Sequence, residues 1–245
     1  MLIICADDFG RDRAATDGCM ECHRGGAITA ASAMVFMEDS ARAARLAGSE
    51  GLETGLHLNL AVPFDGPGIP EKLRKSQDRI ARYLQRGKWA QSLYNPLIRK
   101  ALAMSLGAQL DEYRRLFQRE PVHLNGHKHM HLCMNMIIDG LIPKGPYIRR
   151  NFTFGRGEKG LFNRTYRRWV DAWLLREHPS TDAFFSIDPV SDIPRLKRII
   201  ALARTSDVEL MVHPGWPDQY AFLREGEFRA LTAAVPRGPF GALRD

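Results

Sequence analysis

No apolar run in this chain approaches the roughly 20 residues that a membrane-spanning helix needs. The apolar start is broken by Asp7 and Asp8, far too early for the hydrophobic centre of a secretory signal, so a cytoplasmic location is expected. Cysteine is scarce. Four in 245 residues do not make a disulfide scaffold, and they are expected to be reduced and structural. No internal repeat and no low-complexity tail is present. One cysteine pattern, Cys19-Met20-Glu21-Cys22-His23, has the spacing of a c-type haem attachment site. It falls in a helical run over residues 11–24 that Gly25-Gly26 closes, with no export signal ahead of it. Cys19 and Cys22 are therefore read as small apolar helix residues and His23 as a last-turn cation.

What is present fits one α/β domain over residues 1–245, a size common among α/β barrels. The hydrophobic fraction of 44% supplies an ordinary core. The net charge of +7 comes from 35 basic and 28 acidic residues, with many of the basic ones in two blocks, 72–119 and 144–176. Such blocks are read as solvated helix faces in preference to a nucleic-acid surface. Peripheral contact with an acidic surface or lipid headgroups stays open, as does a homodimer.

Residues 1–5 form a short buried strand, and the acidic pair follows at its tip before Gly10 turns the chain. Side chains alternate along a strand, so Asp7 and Asp8 begin by pointing different ways. A sharp turn would bring both to one pocket, one holding a cation and the other moving a proton. The alternative is that Asp8 caps the next helix and Asp7 is a solvated turn residue.

Further strands are expected over 27–36, 53–60, 121–132, 147–150, 181–187 and 208–212, mostly separated by helices. In the third, Leu56, Leu58 and Leu60 face one way and His57 and Asn59 the other, into a site or onto partners. Residues 71–119 read as a helical insertion or lid. Residues 151–160 form a Gly-rich basic loop that could hold an anion. Trp169 and Trp173 share a helix face and are expected in the core.

His127, His129 and His131 lie at i, i+2 and i+4, so an extended strand would put all three on one face. At ~3.3 Å per residue the outer two would stand ~13 Å apart. Zinc–nitrogen bonds of about 2 Å then allow one ligand, or two where the chain bends. His213 ends the last strand as the aspartates end the first. Four strands thus carry polar residues at their carboxyl ends, the face where such barrels build their sites.

Ala6-Asp7-Asp8-Phe9-Gly10, Gly55-Leu56-His57-Leu58-Asn59, His127-Lys128-His129-Met130-His131 and His213-Pro214-Gly215 together resemble the YdjC/ChbG-like carbohydrate deacetylase family. Residues 181–185 and 224–228 extend the likeness. The resemblance implies a distorted (β/α) barrel of about seven parallel strands, similar to polysaccharide deacetylases. It implies removal of the N-acetyl group from an amino sugar, in an oligosaccharide or glycolipid, with a divalent metal such as zinc or magnesium. It makes Asp8, His57 and His127 the metal ligands, Asp7 the general base for a metal-activated water and His213 the general acid. Phe9, Asn59, His129, His131 and Arg224 are the substrate contacts it suggests.

Two departures stand out. Asn125-Gly126 replaces the Asp-Ser common in the family, removing a negative charge that would orient a histidine ligand. The final stretch, 235–245, is broken by Gly and Pro where relatives tend to end in an apolar strand, so either the barrel is expected to close differently or the chain to be truncated. A metal hydrolase of another amide or ester bond, or a barrel that binds sugar or metal without turnover, are the competing readings. The second needs neither Asp7 nor His213.

Overall fold

The computed structural model describes residues 1–154 and 160–243, leaving aside the Phe162 side chain. The anion-binding reading of the basic loop falls mostly on residues 155–159, outside the described residues. Seven parallel strands form one sheet, curled into a half-barrel: β1 (Leu2–Phe9), β2 (Ala30–Ala33), β3 (Thr54–Leu58), β4 (His123–Gly126), β5 (Tyr147–Ile148), β6 (Ala183–Ser186) and β7 (Val208–Val212). Their spatial order is β5-β4-β3-β2-β1-β7-β6, so the first strand made lies between β2 and the last.

Every residue of β1 is buried, as expected where helices cover one face of a sheet and a packed interior the other. Leu2, Ile4 and Ala6 join the large core under the helices, while Ile3 and Cys5 turn inward with Ala30 and Phe240. The helices are α1 (Arg13–Arg24), α2 (Ser40–Glu50), α3 (Glu71–Leu84), α4 (Lys88–Ser92), α5 (Arg99–Phe117), α6 (Met134–Ile138), α7 (Leu161–Glu177), α8 (Ile193–Leu202), α9 (Pro217–Arg224) and α10 (Gly226–Thr232). Asp12 caps α1 by accepting the Ala15 N–H at 2.8 Å, so Asp8 is free of that duty. Cys19 and Cys22 are buried free thiols on the inner face of α1.

The stretch read as one insertion divides by its packing. Tyr113 of α5 bonds Thr54 of β3 through its hydroxyl (2.7 Å), which makes α5 the helix covering the β3–β4 crossover. From α3, Gln77 reaches back to the Asn59 and Val62 carbonyls (3.0 and 2.7 Å) and accepts from Ser105 of α5. Trp173 packs against the core, but Trp169 is 53% exposed and does not belong to it.

The strand expected through residue 132 stops at Gly126. Residues His127–Leu132 form tight turns, with Lys128 and His129 both left-handed (φ 54° and 57°). Gly126 permits this, since a Cβ there would lie 2.8 Å from the His131 backbone nitrogen. His127, His129 and His131 therefore share no face. The broken tail also closes the barrel differently from an added strand. Leu2 N–H donates to the Pro236 carbonyl (2.8 Å), Gly238 N–H to Leu2 (3.3 Å), and Phe240 stacks on His123 with centroids 4.1 Å apart.

A Cβ on Gly55 would sit 2.1 Å from the His123 carbonyl oxygen and 2.5 Å from its ring, between two strands that cannot part. Gly55→Ala is expected to cost about 3 kcal/mol and lower Tm by about 6–12 °C, read by thermal unfolding. An unchanged Tm would show that β3 and β4 are not packed this closely.

Candidate active site

β1 delivers two carboxylates to the carboxyl end of the sheet because it does not end as a regular strand. Its register with β2 shifts between Ala6 and Phe9, and Asp8 adopts a left-handed φ of 65°. The positive φ is unfavourable for a side-chain-bearing residue, and it turns the second carboxylate into the pocket that holds the first.

Asp7 is gripped by Arg149, which follows β5. Nη1 donates to Oδ2 at 2.5 Å and Nη2 to Oδ1 at 2.8 Å, while Nε donates to Glu209 of β7 at 2.7 Å. All three are at most 2% exposed. Burial by itself would raise the Asp7 carboxyl. The Arg149 guanidinium, helped by His57, outweighs it and holds Asp7 well below the usual carboxylate range. Glu209 shares the same cation but is pushed up by burial, and its Oε2 has no partner. Phe184 covers the guanidinium at 4.7 Å. Arg149 and Glu209 were not among the residues singled out from the sequence. Their signal is a lone charge in or beside a buried strand, as in Val208-Glu209-Leu210-Met211-Val212.

Asp8 gathers the first group of histidines. Its Oδ1 lies 2.9 Å from His127 Nδ1 and 3.3 Å from His57 Nε2, and Oδ2 accepts from Arg11 at 2.6 Å. One donor atom from each of Asp8, His57 and His127 lies within 4.8 Å of the others. The two imidazoles meet edge-to-face, with centroids 5.5 Å apart. One carboxylate and two imidazoles are donors suited to zinc or a similar divalent ion, and they leave positions open. Burial alone would lower the His57 pKa, but Asp7 and Asp8 raise it overall.

Behind His57 lies Asn125, 2.6 Å from Nδ1. With its oxygen toward His57, its amide nitrogen faces the Arg149 guanidinium, donor against donor. Rotated by 180°, the oxygen accepts from Arg149 Nη2 and Ser32 Oγ (both 2.7 Å) and the nitrogen donates to His57 Nδ1. The rotated amide satisfies His57, Arg149 and Ser32, gives up a long 3.4 Å bond to Asp7 Oδ1, and leaves the proton of a neutral His57 on Nε2, toward Asp8. A metal ligand needs the lone pair on Nε2, hence the proton on Nδ1 and the oxygen of Asn125 facing it. Arg149 and a metal-ready His57 thus compete for one amide oxygen.

The other singled-out residues spread more widely. His213 is partly buried, stacked on Trp216 at 4.2 Å, and its Nδ1 is without a partner. Burial lowers its pKa despite the pull of Asp7 and Asp8. His129 meets the Phe152 ring edge-on at 4.6 Å. His131 is fully buried with Nε2 on the Arg149 carbonyl (2.8 Å), and burial pushes its pKa to about 3. Phe9 lies in the core. Asn59 is fully buried and holds its own loop, its Oδ1 accepting from the Ala61 and Val62 N–H groups, both at 3.0 Å. Arg224 pairs with Glu21 (3.1 Å) and Tyr220 on the helical layer outside the sheet. The structure brings together Asp7, Asp8, His57 and His127, with the charge of His213 felt by Asp7.

The sequence profile of the family described as YdjC-like protein matches residues 1–237. A chitooligosaccharide deacetylase of Proteus mirabilis (strain HI4320) is 32% identical, covering 95% of this chain and 90% of that protein. One of Klebsiella pneumoniae (strain 342) is 28% identical over 96% of this chain and 92% of its own length. A crystal structure from Enterococcus faecalis V583, whose name links it to cellobiose-phosphate cleavage, superposes with a TM-score of 0.69. It covers 100% of this chain and 98% of that one at 16% identity, a likeness of fold alone.

Arg149→Leu would strand two buried carboxylates and is expected to cost about 3–5 kcal/mol near neutral pH. In the parent chain Asp7 has a depressed folded pKa, so its contribution persists above the unfolded value and fades only as pH falls through the folded one. In the variant Asp7 loses its cation and its pKa rises, so the deficit shrinks as pH falls toward 4. Urea unfolding at several pH values measures this, and a deficit independent of pH would contradict it. Asn125→Asp would accept from both His57 Nδ1–H and Arg149. It is expected to tighten divalent-metal binding by about tenfold or more in a chelator competition. Unchanged affinity would show that the amide does not limit His57.

Proposed function

Because this chain belongs to the YdjC-like family, we propose that it is a carbohydrate deacetylase that hydrolyses the N-acetyl amide of an amino sugar in an oligosaccharide or glycolipid. The observation that carries the reading is the convergence of Asp8, His57 and His127 beside an Asp7 carboxylate held ionised by Arg149. Asp8, His57 and His127 would hold a divalent ion, zinc or magnesium. Bound there, it would supply Lewis-acid polarisation of the acetamide carbonyl and acidify a water molecule.

Asp7 takes the proton that the attacking water must lose. Its clamp by Arg149 fixes its direction and keeps it ionised at neutral pH. The same clamp makes it a weak base, so it holds that proton briefly and can release it within the site. His213, its pKa lowered by burial and its ring flat against Trp216, has a buried Nδ1 without a partner and takes up the proton that Asp7 releases. Once protonated, it gives that proton to the sugar nitrogen as the carbon–nitrogen bond breaks, leaving a free amine and acetate. Without this donor the amine would have to depart as an anion.

The deciding measurement is acetate release from N-acetylated chitooligosaccharides, using protein stripped by a chelator and refilled with zinc or magnesium. Release restored by metal is expected. Asp7→Asn should lower kcat by about 10²–10⁴-fold while metal stoichiometry is unchanged. Silence on acetylated sugars with metal bound, and turnover of other amides or esters, would overturn the substrate class.

A further inference from the structure

A second feature lies away from the acidic pair and does not depend on the deacetylase reading. Trp89 and Leu97 are 79% and 71% exposed, and Leu93, Ile138, Leu161 and Trp169 also stand in solvent. They lie on α4, the link to α5, α6 and the first half of α7, and side-chain bonds draw these segments into one neighbourhood. The Tyr94 hydroxyl donates to Asp139 at 3.0 Å, and Asn95 and Asn135 exchange bonds of 3.0 and 2.9 Å. Tyr166 of α7 shares a hydrogen bond with Ser92 of α4, and its ring lies 6.5 Å from that of Trp169.

The charge on these segments is mainly basic, the one acid among them, Asp139 after α6, being paired to Arg99 at 3.1 Å. Residues 85–104 carry Arg86, Lys88, Arg99 and Lys100 with no Asp or Glu, and residues 160–170 carry Arg164, Arg167 and Arg168 with none. The last three line a pocket with Arg150, Phe152 and Asp171, the acid being engaged by Arg150 and Asn151. Phe152 in turn meets His129 edge-on at 4.6 Å.

Scattered single apolar residues on a surface mean little, but a cluster with two tryptophans and a mainly basic rim marks an interaction face. Nucleic acid would satisfy the cations and leave Leu93, Leu97, Ile138 and Leu161 in water. A second copy of this chain docked symmetrically would set the same cations against one another. An anionic bilayer matches both halves: its interface takes tryptophan and leucine, and its headgroups take lysine and arginine. We propose that this face docks the protein on membranes containing anionic lipid, without any segment crossing the bilayer.

The test is co-sedimentation of the full chain with phosphatidylcholine vesicles, with and without about one-third phosphatidylglycerol, at low salt. Each basic residue near an anionic surface is worth roughly fivefold in association, so binding to the anionic vesicles is expected to exceed that to the neutral ones by at least about tenfold. It should weaken as salt rises. The triple variant Trp89→Ser, Leu93→Ser, Leu97→Ser should lose at least about tenfold in binding with an unchanged Tm, because all three side chains are exposed. Three results would overturn the proposal: no sedimentation with anionic vesicles, equal binding by the triple variant, or a solution dimer that the triple variant dissolves.

Discussion

Arg149 is buried between two carboxylates on neighbouring central strands, and much of the interior is arranged to tolerate it. A guanidinium taken out of water is favourable only when its donors are matched, and Asp7, Glu209 and the face of Phe184 provide that match. The two carboxylates share one cation unequally: both oxygens of Asp7 are engaged by Arg149, and Asp7 is the member held below the usual carboxylate range. Glu209, with one oxygen unpartnered, is the member pushed toward its neutral form. The ion group therefore does two things: it ties β5, β1 and β7 through their interior, and it presents one carboxylate in a fixed direction at the rim.

The histidines are sorted by the same field. His123 is buried beside Cys5 and Ser32, and burial with the nearby Arg149 charge pushes it to about 3. His57 is equally buried, yet its two aspartate neighbours raise its pKa. Residues of one type on neighbouring strands are thus set to opposite electrostatic tasks by which sign of charge they face. His123 closes the interior as a neutral ring under Phe240, and His57 remains able to share a proton or a lone pair.

Most of the fold is legible in the sequence because buried parallel strands leave apolar runs and their exits leave turns. The seventh strand is read to the residue and the others to within a few at each end, except the fourth, which stops six residues before its expected end. The gathering of Asp7, Asp8 and His57 is legible too, since all lie at strand ends that must meet at one face. The turn after Gly126 is not. Lys128 and His129 are ordinary residues in left-handed conformations, and their alternating histidines imitate a strand. Arg149 is missed for a different reason. Its meaning lies in partners 142 and 60 residues away, and local periodicity carries no record of which distant charge a side chain will meet. The polar partners of Asn59 are hidden likewise, in helices that look like a simple solvated insertion.

The sheet order has a consequence for biosynthesis. β1 leaves the ribosome first and β7 last, yet they are adjacent, and Leu2 to Ala6 are paired with Val208 to Val212. At roughly 5–20 residues per second, on the order of 10–40 s separate the emergence of Asp7 from that of Glu209. Throughout that interval one edge of a largely apolar strand is bare, and Asp7 must stay hydrated. That edge is covered only when β7 arrives, so the order of synthesis sets how long the first strand waits for its partner.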